Sequence, residues 1–97
     1  GSTVIALSDV PVDGAASAQS PNGDPLIVSQ PTKGQVVAFS AICTHMGCTV
    51  APEGKQLLCP CHGSTFDAFT GQNLSGPAPS PLDKVTVRLN GSQVVLA

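Results

Sequence analysis

The chain has 97 residues, a formal net charge of −2 and three aromatic residues, all phenylalanine. That length bounds it to one domain, near the size where burial alone gives modest stability. Only four basic residues are present, which leaves no patch for nucleic acid, and no apolar run reaches the roughly 20 residues needed to span a bilayer.

Gly1-Ser2 reads as a cloning scar, followed at once by the strand-like run Thr3-Val4-Ile5-Ala6-Leu7. Residues 8–24 are rich in Ala, Ser, Pro and Gly and are expected to form a surface loop. Leu26-Ile27-Val28-Ser29 and Gln35-Val36-Val37-Ala38-Phe39 are short, β-branched apolar runs. Turn residues bound them at 21–25 and 31–34. Near the end, Lys84-Val85-Thr86-Val87-Arg88-Leu89 alternates polar and apolar residues. Asn90-Gly91 and a last apolar run, Ser92-Gln93-Val94-Val95-Leu96, follow, which predicts a hairpin with a type I′ turn. Ten glycines and nine prolines punctuate the chain, and no segment holds a helical period. No internal repeat or second domain is visible. The pattern predicts an all-β fold, a small antiparallel β-sandwich, with residues 1–97 as a single domain.

Between these runs lie two boxes, Cys43-Thr44-His45-Met46-Gly47-Cys48 and Cys59-Pro60-Cys61-His62-Gly63-Ser64. They contain all four cysteines and both histidines of the chain. One residue separates Cys43 from His45 and two separate Cys59 from His62, so each box can supply a thiolate and an imidazole from a tight loop. Cys48 and Cys61 are left over, one per box. The donor set points to one metal centre. It also admits a structural zinc site of two cysteines and two histidines. Cys59-Pro60-Cys61 admits a dithiol redox pair, although nothing nearby reads as a strand–helix unit. A secreted domain with two disulfides would make the histidines coincidental.

The boxes closely resemble those of the Rieske iron–sulfur proteins of the disulfide-containing type. The resemblance extends to Gly76-Pro77-Ala78-Pro79, which is similar to the proline loop that covers the cluster in that family. It implies a 2Fe–2S cluster, one per chain. Cys43 and Cys59 would ligate one iron, His45 and His62 the other, and a Cys48–Cys61 disulfide would join the loops. The cluster-binding region would span about 43–80, on loops at one end of the sandwich. Two ferric ions, two sulfides and two thiolates sum to zero charge, whereas four thiolates would leave a dianion. Imidazole ligation therefore raises the reduction potential, to within about −150 to +300 mV. A ligating imidazole also keeps an N–H on its second nitrogen, which couples electron to proton transfer and suits a hydrogen donor such as a quinol.

Ser64 stands where high-potential members of the family carry a serine that donates to a bridging sulfide. Phe66 departs from the tyrosine found there, whose hydroxyl donates to a ligand thiolate. Met46 stands where leucine is common beside the exposed histidine, where the expected roles are shielding the cluster, lining a docking surface or plain packing. Gly47 and Gly63 are expected to permit unusual backbone angles or close approach to the cluster. Asn73-Leu74-Ser75 and Asn90-Gly91-Ser92 match the glycosylation sequon, and both matches are read as chance.

The resemblance implies an electron-transfer component rather than an enzyme active alone. The first expectation is the soluble redox domain of a cytochrome bc-type quinol-oxidising system, with quinol and a cytochrome c-type partner. Others are a free-standing or anchored extracytoplasmic carrier, or the small subunit of an arsenite oxidase-type enzyme. Rieske ferredoxins and ring-dioxygenase domains are disfavoured because they lack the Cys48/Cys61 pair. Members with the disulfide usually carry an N-terminal membrane helix or export signal. The chain is thus expected to be the monomeric soluble portion of a longer, extracytoplasmic, membrane-associated protein.

Overall fold

The computed structural model describes residues 3–44, 47–61 and 63–97. Among these, eleven short strands and one turn of 3-10 helix, Leu7–Asp9, build the nearly all-β fold that the sequence pattern predicts. The strands form three sheets with antiparallel ladders. The first has the order β1 (Thr3–Ala6), β11 (Gln93–Leu96), β10 (Val87–Asn90). The second has the order β2 (Gly14–Gln19), β3 (Pro25–Thr32), β4 (Gln35–Ser40), β9 (Lys84–Val85). The third runs β5 (Ala51–Glu53), β6 (Gln56–Leu58), β7 (Thr65–Asp67), β8 (Asn73–Ser75).

The second sheet serves two cores. Side chains alternate across a strand, and on β3 Ile27 joins a cluster with Phe39, Leu57 and Phe66, while its neighbour Val28 joins one with Ala38 and Val94. Leu26 through Gln30 are all buried. That is why this strand reads as an unbroken apolar run, a pattern typical of strands covered on both faces. Burial of side chains such as Ile27, Phe39, Leu57 and Phe66 contributes about 1.5–3 kcal/mol each. The buried Gln30 amide is satisfied at both ends: its Nε2 donates to the Val10 carbonyl at 2.8 Å, and its Oε1 accepts from Gly34 N–H at 2.9 Å.

The structure departs from the sequence pattern in several places, among them Leu7, which falls in the 3-10 turn, and Pro25, Pro31 and Thr32, which belong to β3. Residues 8–24 are not simply a loop: β2 lies within them and pairs along its whole length with β3, from Gly14↔Gln30 to Gln19↔Pro25. Its Ala and Ser side chains are too small to give a hydrophobic period, so its place is set by pairing. The run 84–89 is not one strand. Val85 on β9 pairs with Ala38 of the second sheet, and beyond Thr86 the chain joins the first sheet, with Val87 opposite Leu96. The hairpin turn is Gly91-Ser92 rather than Asn90-Gly91, because Asn90 pairs with Gln93. Gly91 has φ +61° and Ser92 is not among the positive-φ residues. Positive φ at the first central position alone fits a type II′ turn, and type I′ would need it at both.

The third sheet is an excursion from the second. Strands β4 and β9 are hydrogen-bonded neighbours, with Phe39 opposite Lys84, and Ser40 N–H donates to the Asp83 carbonyl at 2.8 Å. Everything between them is closed off as one loop-rich unit that carries both boxes and the proline loop.

One buried polar atom is left over. Ser29 is wholly buried, and its Oγ has no hydrogen-bond partner among the described residues. Its strand partners are Ala15 and Val37, both apolar. An unpaired buried hydroxyl destabilises, so Ser29→Ala should raise unfolding stability by about 1 kcal/mol in denaturant titration. A loss of stability would show that the hydroxyl has a partner after all.

Candidate iron–sulfur site

The two boxes fold into matched hairpin loops. Residues 43–48 are closed by an Ile42↔Thr49 bridge, and residues 59–64 by the Leu58↔Thr65 pair of β6 and β7. In each loop the N–H of the first residue donates to the carbonyl of the sixth: Cys43 to Cys48 at 2.7 Å, Cys59 to Ser64 at 2.8 Å. In each, the N–H of the fifth residue donates to the carbonyl of the first: Gly47 to Cys43 at 3.1 Å, Gly63 to Cys59 at 3.0 Å. Both fifth residues are glycines in the left-handed region, with φ +75° and +76°. A side chain would strain that conformation in either loop. The recurrence Cys-x-x-x-Gly-[Cys/Ser]-Thr, at 43–49 and 59–65, is the sequence signal of this repeat, and it is masked by the different chemistry of the other positions.

A disulfide between Cys48 and Cys61 ties the loops together, with a Cα–Cα distance of 6.5 Å and thirteen residues of sequence separation. Cys43 and Cys59 are free thiols, and both are buried. The Cys59 sulfur lies within 4.8 Å of both bridged sulfurs. Proximity alone would make Cys48, Cys59 and Cys61 a three-thiol metal site. The Cys48–Cys61 bond removes two of those donors, so the thiols left for a metal are Cys43 and Cys59. His45, Met46 and His62 lie outside the described residues.

The proline loop forms the third wall. Gly76, Pro77 and Pro79 are exposed and Ala78 is buried. Hydrogen bonds tie this loop to both boxes. Ala78 N–H donates to Ser64 Oγ at 3.2 Å, and Thr44 Oγ1 donates to the Ser80 carbonyl at 2.7 Å. Asn73 Nδ2 donates to the Ala78 carbonyl at 3.1 Å. Gly76 has φ +87° and packs directly on Ser64, where an added Cβ would lie 2.5 Å from the Ser64 Cα. Thr44, Asn73 and Ser80 are the residues that sequence reasoning missed. Thr44 lies inside a box and was visible there, whereas nothing local marks Asn73 or Ser80.

Ser64 is wholly buried, and its oxygen accepts from Ala78 N–H. Among the described residues its own hydroxyl hydrogen has no protein acceptor. Phe66, opposite Leu57 on β7, is also wholly buried and shares a core cluster with Cys43, Cys59 and Ala78. A buried O–H without an acceptor among the described residues, in the same loop as the buried thiol of Cys59, fits a group rich in both iron and sulfide.

The fold and this site define an all-β domain with two buried free thiols suited to an iron–sulfur group. Residues 2–94 match the Rieske [2Fe-2S] domain, and the chain belongs to that family, whose cofactor is a Rieske-type 2Fe–2S cluster. The chain is 38% identical over 97 residues to a cytochrome b6-f complex iron-sulfur subunit of Chlorobaculum thiosulfatiphilum, covering 98% of this chain and 52% of that protein. It therefore spans about half the length of that relative. It is also 40% identical over 94 residues to a carotenoid phi-ring synthase of Chlorobaculum tepidum, of which it covers 14%. Among solved structures, the plasma membrane Rieske protein PetC3 of Synechocystis PCC 6803 matches with TM-score 0.75 and 32% identity, over 87% of this chain and 86% of that one. A dioxygenase ferredoxin of Nocardioides aromaticivorans matches with TM-score 0.74 at 22% identity, over 98% of this chain and 94% of that one, which is a likeness of fold alone.

Gly76→Ala should cost about 2–4 kcal/mol, the sum of a left-handed residue with a Cβ and overpacking against Ser64. Chemical denaturation measures the loss, and an unchanged midpoint would mean that the proline loop does not press on Ser64. Replacing Cys48 and Cys61 together by Ala should cost about 3 kcal/mol, the chain-entropy value for a loop this short.

Proposed function

We propose that the chain is a single Rieske domain, with its cluster-binding region at about 43–80, that transfers single electrons in a quinol-oxidising complex of the cytochrome bc type. Cys43 and Cys59 hold one iron and His45 and His62 the other. The bound cluster supplies a one-electron couple. The observation that carries this reading is the pair of buried free thiols flanked by the Cys48–Cys61 bridge. The likeness to cytochrome b6-f iron-sulfur subunits supports it. Ser64 donates toward the cluster, and Phe66 supplies no second donor. Met46 and residues 76–79 shield the site. The partners are a quinol and a cytochrome c-type acceptor.

A second reading is a free-standing or anchored extracytoplasmic carrier. It is favoured by the match to PetC3, a plasma membrane Rieske protein, over 86% of that chain. An arsenite oxidase-type small subunit is a variant of this reading. In either case the Cys48–Cys61 disulfide supports an oxidising, extracytoplasmic compartment. Among the described residues no helix is long and apolar enough to cross a membrane. Membrane association would come from an anchor or from partner subunits, with this domain monomeric by itself.

The purified protein should contain two irons and two acid-labile sulfides per chain, with visible absorption that bleaches on reduction. Cys43→Ala or Cys59→Ala should abolish both. Zinc as the sole stoichiometric metal would overturn the reading. A quinol donor further requires proton coupling. Oxidised iron acidifies the free N–H of a ligating histidine more than reduced iron does. The potential should therefore be flat at low pH and fall above the oxidised-state histidine pKa, by up to about 59 mV per pH unit for each proton per electron. Redox titration across pH measures this, and a potential constant into the strongly alkaline range would remove quinol from the list of donors.

A further inference from the structure

We propose that Asn73 is a positioning residue that governs how strongly the Ser64 hydroxyl reaches the cluster, acting through the backbone of Ala78. The inference rests on the iron–sulfur reading above and assigns a role to a residue outside both boxes.

Asn73 opens β8 and is half-buried. Its amide is held at both ends. Gln72 Nε2 donates to Asn73 Oδ1 at 3.1 Å, and Asn73 Nδ2 donates to the Ala78 carbonyl at 3.1 Å. Ala78 N–H in turn donates to Ser64 Oγ at 3.2 Å. Ala78 is thus gripped through both of its backbone polar groups, one by a side chain from β8 and the other by Ser64. A third bond braces this frame, because Thr65 and Ser75 share a hydrogen bond between their hydroxyl oxygens at 2.6 Å. Thr65 follows Ser64 directly, and Ser75 closes the strand that Asn73 opens. The segment Asn73-Leu74-Ser75, whose sequon match reads as chance, therefore has a use inside the protein: both polar side chains are spent on bracing.

The consequence falls on Ser64. A hydroxyl oxygen that accepts from one side directs its own hydrogen elsewhere, and among the described residues no other protein acceptor for that hydrogen exists. The Ala78 bond thus orients the hydroxyl. It also polarises it, since a hydroxyl that accepts a hydrogen bond becomes a better donor, as along any hydrogen-bonded chain. At 3.2 Å this link is at the long end of the range for N–H to oxygen, so a small movement of Ala78 weakens it. Without the Asn73 amide, the Ala78 carbonyl loses its partner. The segment would still be pinned at Gly76 against Ser64 and at Ser80 by Thr44. Ala78 between those pins would be free to draw away, leaving the Ser64 hydroxyl able to rotate. Donation to the cluster would weaken, and the more negative reduced state would lose stabilisation.

The test is redox titration of cluster-loaded protein, with visible absorption confirming an intact cluster. Asn73→Leu keeps side-chain size and removes the donor. It should lower the reduction potential by less than Ser64→Ala does. In a Ser64→Ala background the same substitution should cause no further drop, because the route runs through that hydroxyl. Asn73→Val, a better strand former, repeats the measurement if the leucine variant folds poorly. A wild-type potential in the Asn73 variants, or equal drops in both backgrounds, would overturn the inference while leaving the iron–sulfur reading intact. Absence of an iron–sulfur spectrum from the unmodified protein would overturn both.

Discussion

The bond between Cys48 and Cys61 is the constraint on which the site depends. One of its loops connects the second sheet to the third, and the other lies within the third sheet. Nothing in the ladders requires their tips to meet. The bond makes them meet, and it leaves Cys43 and Cys59 as free thiols within one apolar cluster beside Val50, Leu57 and Phe66. As thiols they pack like small hydrophobic residues. As thiolates they would be charges in a poorly solvated place, which is costly unless cations compensate them. A buried pair with this choice is suited to iron.

The proline loop completes the enclosure by polar ties rather than by apolar bulk. Pro77, Pro79 and Pro81 narrow the conformations open to the unfolded segment, which lowers the entropy lost on ordering it. Three hydrogen bonds then fix its position, from Thr44, to Ser64 and from Asn73. Such an arrangement suits a chain with only three aromatic residues, where large side chains are scarce and a lid cannot be held by burial alone.

The cysteines of the site were more legible in the sequence than much of the fold was. Cys43, Cys48, Cys59 and Cys61 announce themselves because thiol chemistry at short spacing has few uses, and the pairing implied by family resemblance is the one observed. The strands with β-branched residues, β3 and β4, were equally plain. Strand β2 was not, because Ala15, Ala16 and Ala18 carry too little apolar surface to mark a face. The hairpin turn was displaced by one residue since Asn90-Gly91 and Gly91-Ser92 are both good turn pairs, and only the register of Val87 through Asn90 against β11 chooses between them. Asn73 was invisible as a functional residue. Its partner Ala78 is a backbone carbonyl, and backbone acceptors leave no mark on a side-chain pattern.

The matched loops show how one backbone template can carry unlike chemistry. Counted along each loop, the first position is a buried cysteine and the fifth a left-handed glycine in both. These are the positions that the shared hydrogen bonds fix. The sixth position is Cys48 in one loop and Ser64 in the other, so the same place in the template supplies the cross-link on one side and a buried hydroxyl on the other. The third position is His45 in the first loop and Cys61 in the second, so the bridge runs from a sixth position to a third. A bond between equivalent positions would have kept the loops symmetric. Joining unlike positions leaves Ser64 unpaired with sulfur and places it against the proline loop. Backbone geometry thus dictates where the thiols sit, and the asymmetry of the cross-link dictates which face of the site carries the buried Ser64 hydroxyl.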